Sequence, residues 1–199
     1  MDKFIVGITG GIASGKTAVS DTIERLGGFV IDADVVSRTI TAVGGEAYDE
    51  IAKAFPFVVK DGLIDRVALR NTVFSDSSEL KRLNAITHPI IERVISRSVS
   101  EYNGSVVFLV VPLLFEAGYD KICNYIVSVI SDETVRIERL KKRNNTVTDE
   151  TARGIITAQM DDEQRKMRSN EIIVNDGSLS ELEAKVTEFY HRITKRSAK

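Results

Sequence analysis

The residues Gly10-Gly11-Ile12-Ala13-Ser14-Gly15-Lys16-Thr17 constrain this chain more than any other stretch, because they match G-x-x-x-x-G-K-[ST] in the context that gives the pattern its meaning. The apolar, β-branched run Phe4-Ile5-Val6-Gly7-Ile8-Thr9 precedes them, and Val19, Ile23 and Leu26 recur after them at helical spacing. The predicted order is therefore strand, glycine-rich turn, helix. Glycines let the backbone wrap closely, so that successive N–H groups converge on phosphate oxygens at the positive end of the following helix. In such a loop Lys16 reaches the β- and γ-phosphates and the Thr17 hydroxyl serves as a Mg²⁺ ligand. A chance glycine turn opening an ordinary helix is the bland alternative, and four fixed positions with correct flanks weigh against it. The stretch implies a nucleoside triphosphate site.

Around this loop, strands and helices alternate, the pattern of a parallel sheet covered on both faces. Gly27 and Gly28 stop the first helix, and Phe29-Val30-Ile31 form a short strand that runs into Asp32-Ala33-Asp34. Ligands of such sheets gather beyond the carboxyl ends of the strands, which would bring these acids and the phosphate loop to one rim. By position alone Asp34 could equally cap the Val35–Ile40 segment. The need of a Mg²⁺–nucleotide site for a carboxylate favours the ligand-side reading.

Between Val43 and Asn103 the strand signal nearly vanishes. Gly44-Gly45 breaks the chain, Asp61-Gly62 reads as a turn, and the clearest helix carries Ile91, Val94, Ile95, Val99 and Tyr102 on one face. A helical insertion of this kind beside a sheet suits a second-substrate subdomain. Read singly, Arg66 is a solvated charge, and His88, standing before Pro89, marks a helix start.

The sheet resumes at Val106–Val111, an unbroken apolar run expected of a strand buried on both faces and ended by Pro112. Tyr125–Ile130 is the next strand. In the segment that follows, Arg136, Arg139 and Arg143 share a helical face, read either as a solvated charge run or as a lid whose guanidiniums cover phosphates. A second helix with Ala152, Ile155, Ile156 and Met160 completes a helical hairpin, followed by Gln164-Arg165-Lys166. The last strand, Ile172–Val174, leads through Asn175-Asp176-Gly177 to a Ser178/Glu181 capping box. In the closing helix Leu182, Val186, Phe189, Tyr190 and Ile193 form one apolar face and His191 lies at the surface. Lys195-Arg196 is expected to fray.

A net charge of −2 and a pI near 5.8 argue against a general electrostatic grip on nucleic acid or an anionic membrane, so any basic site is local. The most apolar stretch, Val106 to Phe115, is broken by Pro112 and too short to span a bilayer, and no secretory leader is evident. The single Cys123 excludes an intrachain disulfide and reads as buried filler. A cytoplasmic protein is expected.

Taken together, Gly7 to Lys16, Asp32-Ala33-Asp34, Leu63-Ile64-Asp65-Arg66, Thr87-His88-Pro89, Pro112-Leu113-Leu114-Phe115-Glu116 and Asn175-Asp176-Gly177 resemble the dephospho-coenzyme A kinase family in order and spacing. The phosphate loop is common to many NTPases, whereas the other motifs are far more specific. The resemblance implies an α/β P-loop NTPase fold of roughly five parallel strands, in one domain spanning 1–199. Its core would comprise 1–42, 104–131 and 171–199, with a helical substrate-side insertion over about 43–103 and a mobile lid over about 132–170. It implies MgATP-dependent phosphorylation of the ribose 3′-hydroxyl of dephospho-CoA. Within it, Gly10, Gly11, Ile12, Ala13, Ser14, Gly15, Lys16 and Thr17 hold ATP, Thr17 and Asp34 face the metal, and Asp34 orients the hydroxyl. Thr9, Arg38, Arg66 and His88 fall on the acceptor side. Arg139, Arg143 and Arg165 look like lid cations, Arg143 a catalytic one, with Asn175 near the adenine. Thr17-Ala18 departs from the usual hydroxyl pair after the lysine but keeps the metal hydroxyl. Ser169-Asn170 replaces a common Ala-Asp and has no assigned role.

Two rivals remain. A kinase for another small acceptor, such as a nucleoside monophosphate, would share the sheet, loop and lid. A GTPase switch would need an Asn-Lys-x-Asp guanine reader and an Asp-x-x-Gly motif, and the chain has neither.

Overall fold

A computed structural model describes residues 3–197, and of Ser197 the backbone alone. In chain order the elements are β1 (Phe4–Thr9), α1 (Lys16–Arg25), β2 (Phe29–Asp32), α2 (Ala33–Ile40), α3 (Tyr48–Ala54), β3 (Val59–Lys60), β4 (Leu63–Ile64), α4 (Arg66–Ser75) and α5 (Ser77–Glu101). They continue with β5 (Val106–Val110), β6 (Tyr125–Ile130), α6 (Glu133–Arg143), α7 (Asp149–Thr157), α8 (Asp162–Arg168), β7 (Glu171–Val174) and α9 (Leu179–Ser197). The chain divides into two compact units, one made of residues up to Val30 and from Asn103 onward, the other of Ile31–Tyr102.

The sheet runs β2-β5-β1-β6-β7. β1 pairs in parallel with β5, Gly7 against Leu109, and with β6, Ile8 against Val127, while β7 adds to β6 with Ile173 against Val129. Every residue of β5 is buried, which is why its sequence reads as an unbroken apolar run rather than an alternation. On one face Val19 and Ile23 of α1 meet Leu182, Val186, Phe189 and Ile193 of α9 over Val6, Ile8, Phe108 and Val127. Phe189 is 1% exposed, and full burial of a side chain of that size stabilises by about 2–3 kcal/mol. The capping box forms as the sequence predicts: Ser178 N–H donates to Glu181 Oε2 at 2.7 Å and Glu181 N–H to Ser178 Oγ at 3.3 Å. Lys195 and Arg196 do not fray; they are helical, and the Arg196 guanidinium lies 5.4 Å from the centre of the Tyr125 ring.

The second unit decides between the two readings of Asp34 and changes three further expectations. The cap of α2 is Asp32, whose Oδ1 accepts from Asp34 N–H at 2.7 Å and Val35 N–H at 3.1 Å, so Asp34 sits in the first turn instead, exposed. His88-Pro89 does not start a helix. Asp76 caps α5 by accepting from Ser78 N–H at 2.7 Å, and the helix runs through Pro89 for 25 residues. A proline inside a helix forfeits one backbone bond, and here burial of Thr87, Ile90, Ile91 and Ile95 along one face offsets that loss. The Asp61-Gly62 turn is present, with φ of 49° and 74°, but it joins a small antiparallel hairpin of β3 and β4, strands of two residues each that leave no periodicity to read. The unit begins at Ile31, earlier than the insertion expected from 43, because α2 packs against α5.

Candidate functional site

The phosphate loop leaves the carboxyl end of β1 and turns on three residues with positive φ: Gly10 at 152°, Ala13 at 60° and Gly15 at 104°. Gly15 is the N-cap of α1, so the first free N–H groups of that helix open onto the loop. A Cβ on Gly15 would collide with Asn175 Nδ2, which is why only glycine fits there. Ala13 has a Cβ in left-handed backbone, a strain of about 1–2 kcal/mol that its surroundings must impose. The Lys16 ammonium folds over the turn, donating to Gly10 O at 2.6 Å and Gly11 O at 2.9 Å. Thr17, one residue further into α1, is exposed.

The helices α6 and α7 hold the loop from behind. Ala13 is buried with Ile137, Leu140, Ala152 and Ile156, and Ile12 packs on the same cluster. Arg136 Nε donates to Ile12 O at 2.9 Å, and Ile12 N–H donates to Gln159 Oε1 at 2.7 Å. Arg139 reaches Ala13 O at 3.2 Å, Ser14 O at 3.4 Å and Asn175 O at 3.0 Å, while Asn175 Nδ2 donates to Ser14 O at 2.7 Å. Arg136 is thus buried and Arg139 half-buried against the loop, and the solvated charge run describes only the rest of α6. Arg143 ends that helix exposed, and α7 ends at Thr157, leaving Met160 in the turn to α8. Asn175, expected near adenine, is buried as a brace of the loop.

Arg165 is 1% exposed. Its Nη1 donates to Met160 O, with Glu116 Oε1 3.7 Å and Asp162 Oδ1 3.8 Å from the guanidinium. Burial pushes its pKa down, and the two carboxylates oppose that. Arg165 Nε and Nη2, Arg136 Nη2 and the Ser14 hydroxyl are buried without a hydrogen-bond partner among the described residues. Buried donors in this state are costly unless something satisfies them. Thr9 plays a structural part, its hydroxyl donating to Pro112 O at 3.1 Å where β1 and β5 end. Ser169 and Asn170 also acquire one: Asn170 Oδ1 accepts from Ile126 N–H at 2.8 Å and Ser169 Oγ lies 2.7 Å from Ser128 Oγ, which sets the start of β7 against β6.

In the second unit a cavity of about 330 Å³ has Ile64, Leu69, Val73, Leu83 and Ile91 as its apolar lining and Arg66, Arg70 and His88 as its basic groups. Asp65 caps α4, accepting from Val67 and Ala68 N–H at 3.0 Å, which aims Arg66 from the first turn. Arg66 Nη2 donates to Arg38 O and to Thr41 Oγ1, both at 2.9 Å, so it also ties down the carboxyl end of α2. Arg38 contributes that carbonyl while its side chain is exposed. Sequence reasoning missed Gln159 and underread Arg136: each meets the loop only through the tertiary fold, and no local pattern marks them.

Among the described residues no helix is long and apolar enough to cross a membrane, and no three His, Cys, Asp or Glu side chains form a metal cage.

Comparison with known proteins agrees with this geometry. The family model for dephospho-CoA kinase matches residues 4–181. A dephospho-CoA kinase of Pseudoalteromonas translucida is 39% identical over 182 residues, 90% of this chain and 86% of that protein. One of Dechloromonas aromatica is 37% identical over 201 aligned positions, 100% of this chain and 97% of that protein. The solved dephospho-CoA kinase of Campylobacter jejuni superposes with a TM-score of 0.72 at 25% identity, covering 96% of this chain and 97% of that one. With a phosphate loop at the end of β1, a parallel five-stranded sheet, and a match running from β1 into α9, the chain belongs to the dephospho-CoA kinase family.

Proposed function

We propose that the protein transfers the γ-phosphoryl group of ATP to the ribose 3′-hydroxyl of dephospho-CoA, giving CoA and ADP. Beyond family membership, the observation that carries this reading is the cavity of the second unit. Two guanidiniums and an imidazole around an apolar floor suit an acceptor that is anionic in one part and apolar in another.

Phosphoryl transfer is chiefly positioning and charge stabilisation, and the residues sort accordingly. The N–H groups at the start of α1 and the Lys16 ammonium receive the β- and γ-phosphates. The buried donors of Arg136 and Arg165 are those a phosphate would satisfy as negative charge shifts during transfer. Asp34, in the first turn of α2 just after β2, orients the 3′-hydroxyl and accepts its proton. Arg66, Arg38 and His88 grip the acceptor. Mg²⁺ would be held by the exposed Thr17 hydroxyl together with nucleotide oxygens and water. When bound, the ion would supply positive charge against the phosphates.

Purified protein given MgATP with dephospho-CoA, AMP or pantothenate tests the reading. Phosphorus NMR should show a new 3′-monoester on dephospho-CoA with the pyrophosphate bridge intact. Efficient phosphorylation of AMP with dephospho-CoA ignored would leave only a P-loop kinase for another acceptor.

A further inference from the structure

The Ile12 residue of the phosphate loop is gripped at both its polar groups, by α6 and by the turn between α7 and α8. Its N–H donates to the Gln159 side chain at 2.7 Å and its carbonyl accepts from Arg136 Nε at 2.9 Å. Neither group is therefore available to a phosphate, so Ile12 serves the loop as an anchor. The next residue, Ala13, holds a φ of 60° that an alanine does not choose by itself, and it sits in the apolar cluster of α6 and α7. A backbone in that conformation persists only where its neighbours over-determine it. The grip on Ile12 is the constraint immediately before the strained residue. Gln159 reaches it from the turn between α7 and α8, on the side where Arg136, Met160 and Asp162 line a cavity of about 450 Å³.

We infer that Gln159 is a positioning residue for nucleotide binding: by accepting the Ile12 N–H it fixes the turn at Ala13, and so aims the N–H groups that follow at the phosphates. This rests on the phosphate-loop reading above. A loop released at Ile12 relaxes out of the left-handed turn, and bound nucleotide must then restore it, which weakens affinity. The acceptor's own affinity does not depend on this step.

Gln159→Met keeps length and packing but removes the acceptor oxygen. It should weaken binding of ATP with Mg²⁺, read by calorimetry without acceptor present, about five- to tenfold, the scale of one lost hydrogen bond to backbone. KM for dephospho-CoA should stay unchanged, and amide exchange over residues 10–15 should quicken. Gln159→Glu keeps the accepting oxygen and should bind within about threefold of wild type in roughly 0.3 M salt, where its added charge is screened. Gln159→Asn, one methylene short, should follow the Met variant, and it gives the same reading if the Met variant melts without cooperativity. Unchanged ATP affinity in the Met and Asn variants, or a loss that Glu fails to restore, overturns the inference. Lys16→Ala is the control: if it too leaves ATP binding intact, the phosphate-loop reading itself is at fault, whereas a weakened Lys16→Ala beside an unaffected Gln159→Met sinks only the role of Gln159.

Discussion

Gly15 joins two demands at one position, a φ of 104° and the close approach of Asn175 Nδ2, which donates to the neighbouring Ser14 carbonyl. Gly15→Ala should therefore lower stability by about 2–3 kcal/mol in urea unfolding, about 1–2 from left-handed backbone and about 1 from the displaced Asn175 bond. If the strain and the collision are separate, Asn175→Gly in the same chain should relieve only the second part, and a fully additive double variant would refute the contact. The glycines and Lys16 were legible in the sequence because a phosphate loop is a local object with fixed spacing. Asn175 was legible as part of a motif but not in its action. Its side chain turns inward to a loop at the other end of the chain, which no spacing rule reports.

Several helices of this protein are opened by acids. Asp65, Asp76 and Asp132 each accept backbone N–H groups at the start of α4, α5 and α6. Their pKa values lie below the ordinary 3.8, set first by the Lys60 ammonium beside Asp65, by the Ser78 hydroxyl on Asp76 and by Thr134 N–H on Asp132. A carboxylate held low in the folded state contributes stability that is present above its unfolded pKa and lost as pH falls through the folded one. The urea midpoint should thus hold steady near neutrality and decline below ~pH 4. Asp76→Asn, which still caps but cannot titrate, should shallow that decline, and an unchanged acid slope in the triple Asn variant would count against the caps as its source. The Ser178/Glu181 box formed as expected, whereas the sequence alone did not single out Asp65, Asp76 or Asp132 as caps, because an acid ahead of a helical stretch is common and its role is fixed only by where the helix begins. Of the two readings of Asp34 the structure removes the cap, since Asp32 does that work, and the sequence reading erred where it let Pro89 start a helix that begins at Ser77. In the second case an apolar face buried along α5 outweighed a local breaker, a balance struck by tertiary packing.

For the molecule as a whole, each unit carries one half of the proposed chemistry, so variants should separate the two substrates. Asp34→Asn should cut kcat on the order of 10²–10⁴-fold with its fold intact, as expected when a residue that aims and deprotonates the attacking hydroxyl loses its charge. Arg66→Ala should raise KM for dephospho-CoA about ten- to a hundredfold and leave KM for ATP nearly unchanged, the scale of a charge-assisted contact to an anionic substrate. Because Arg66 also bonds Arg38 O and Thr41 Oγ1, its melt must be compared with that of Arg66→Lys. A rise in both KM values together would mark Arg66 as a tie for α2 alone. Sheet, loop and family were legible in the sequence because strands buried on both faces and a spaced motif leave strong local traces. The division at Ile31 was not, since it depends on which neighbour α2 packs against. One consequence concerns sulfur. The acceptor and product proposed here both end in a thiol, and Cys123 is the only sulfhydryl the chain itself offers. Burial, aided by Asp120, lifts its pKa to about 12, with Sγ turned to Tyr119 O at 3.2 Å. Exchange with a disulfide needs the thiolate, so at neutral pH this cysteine is nearly inert, and oxidised coenzyme would pass without forming a mixed disulfide with the protein.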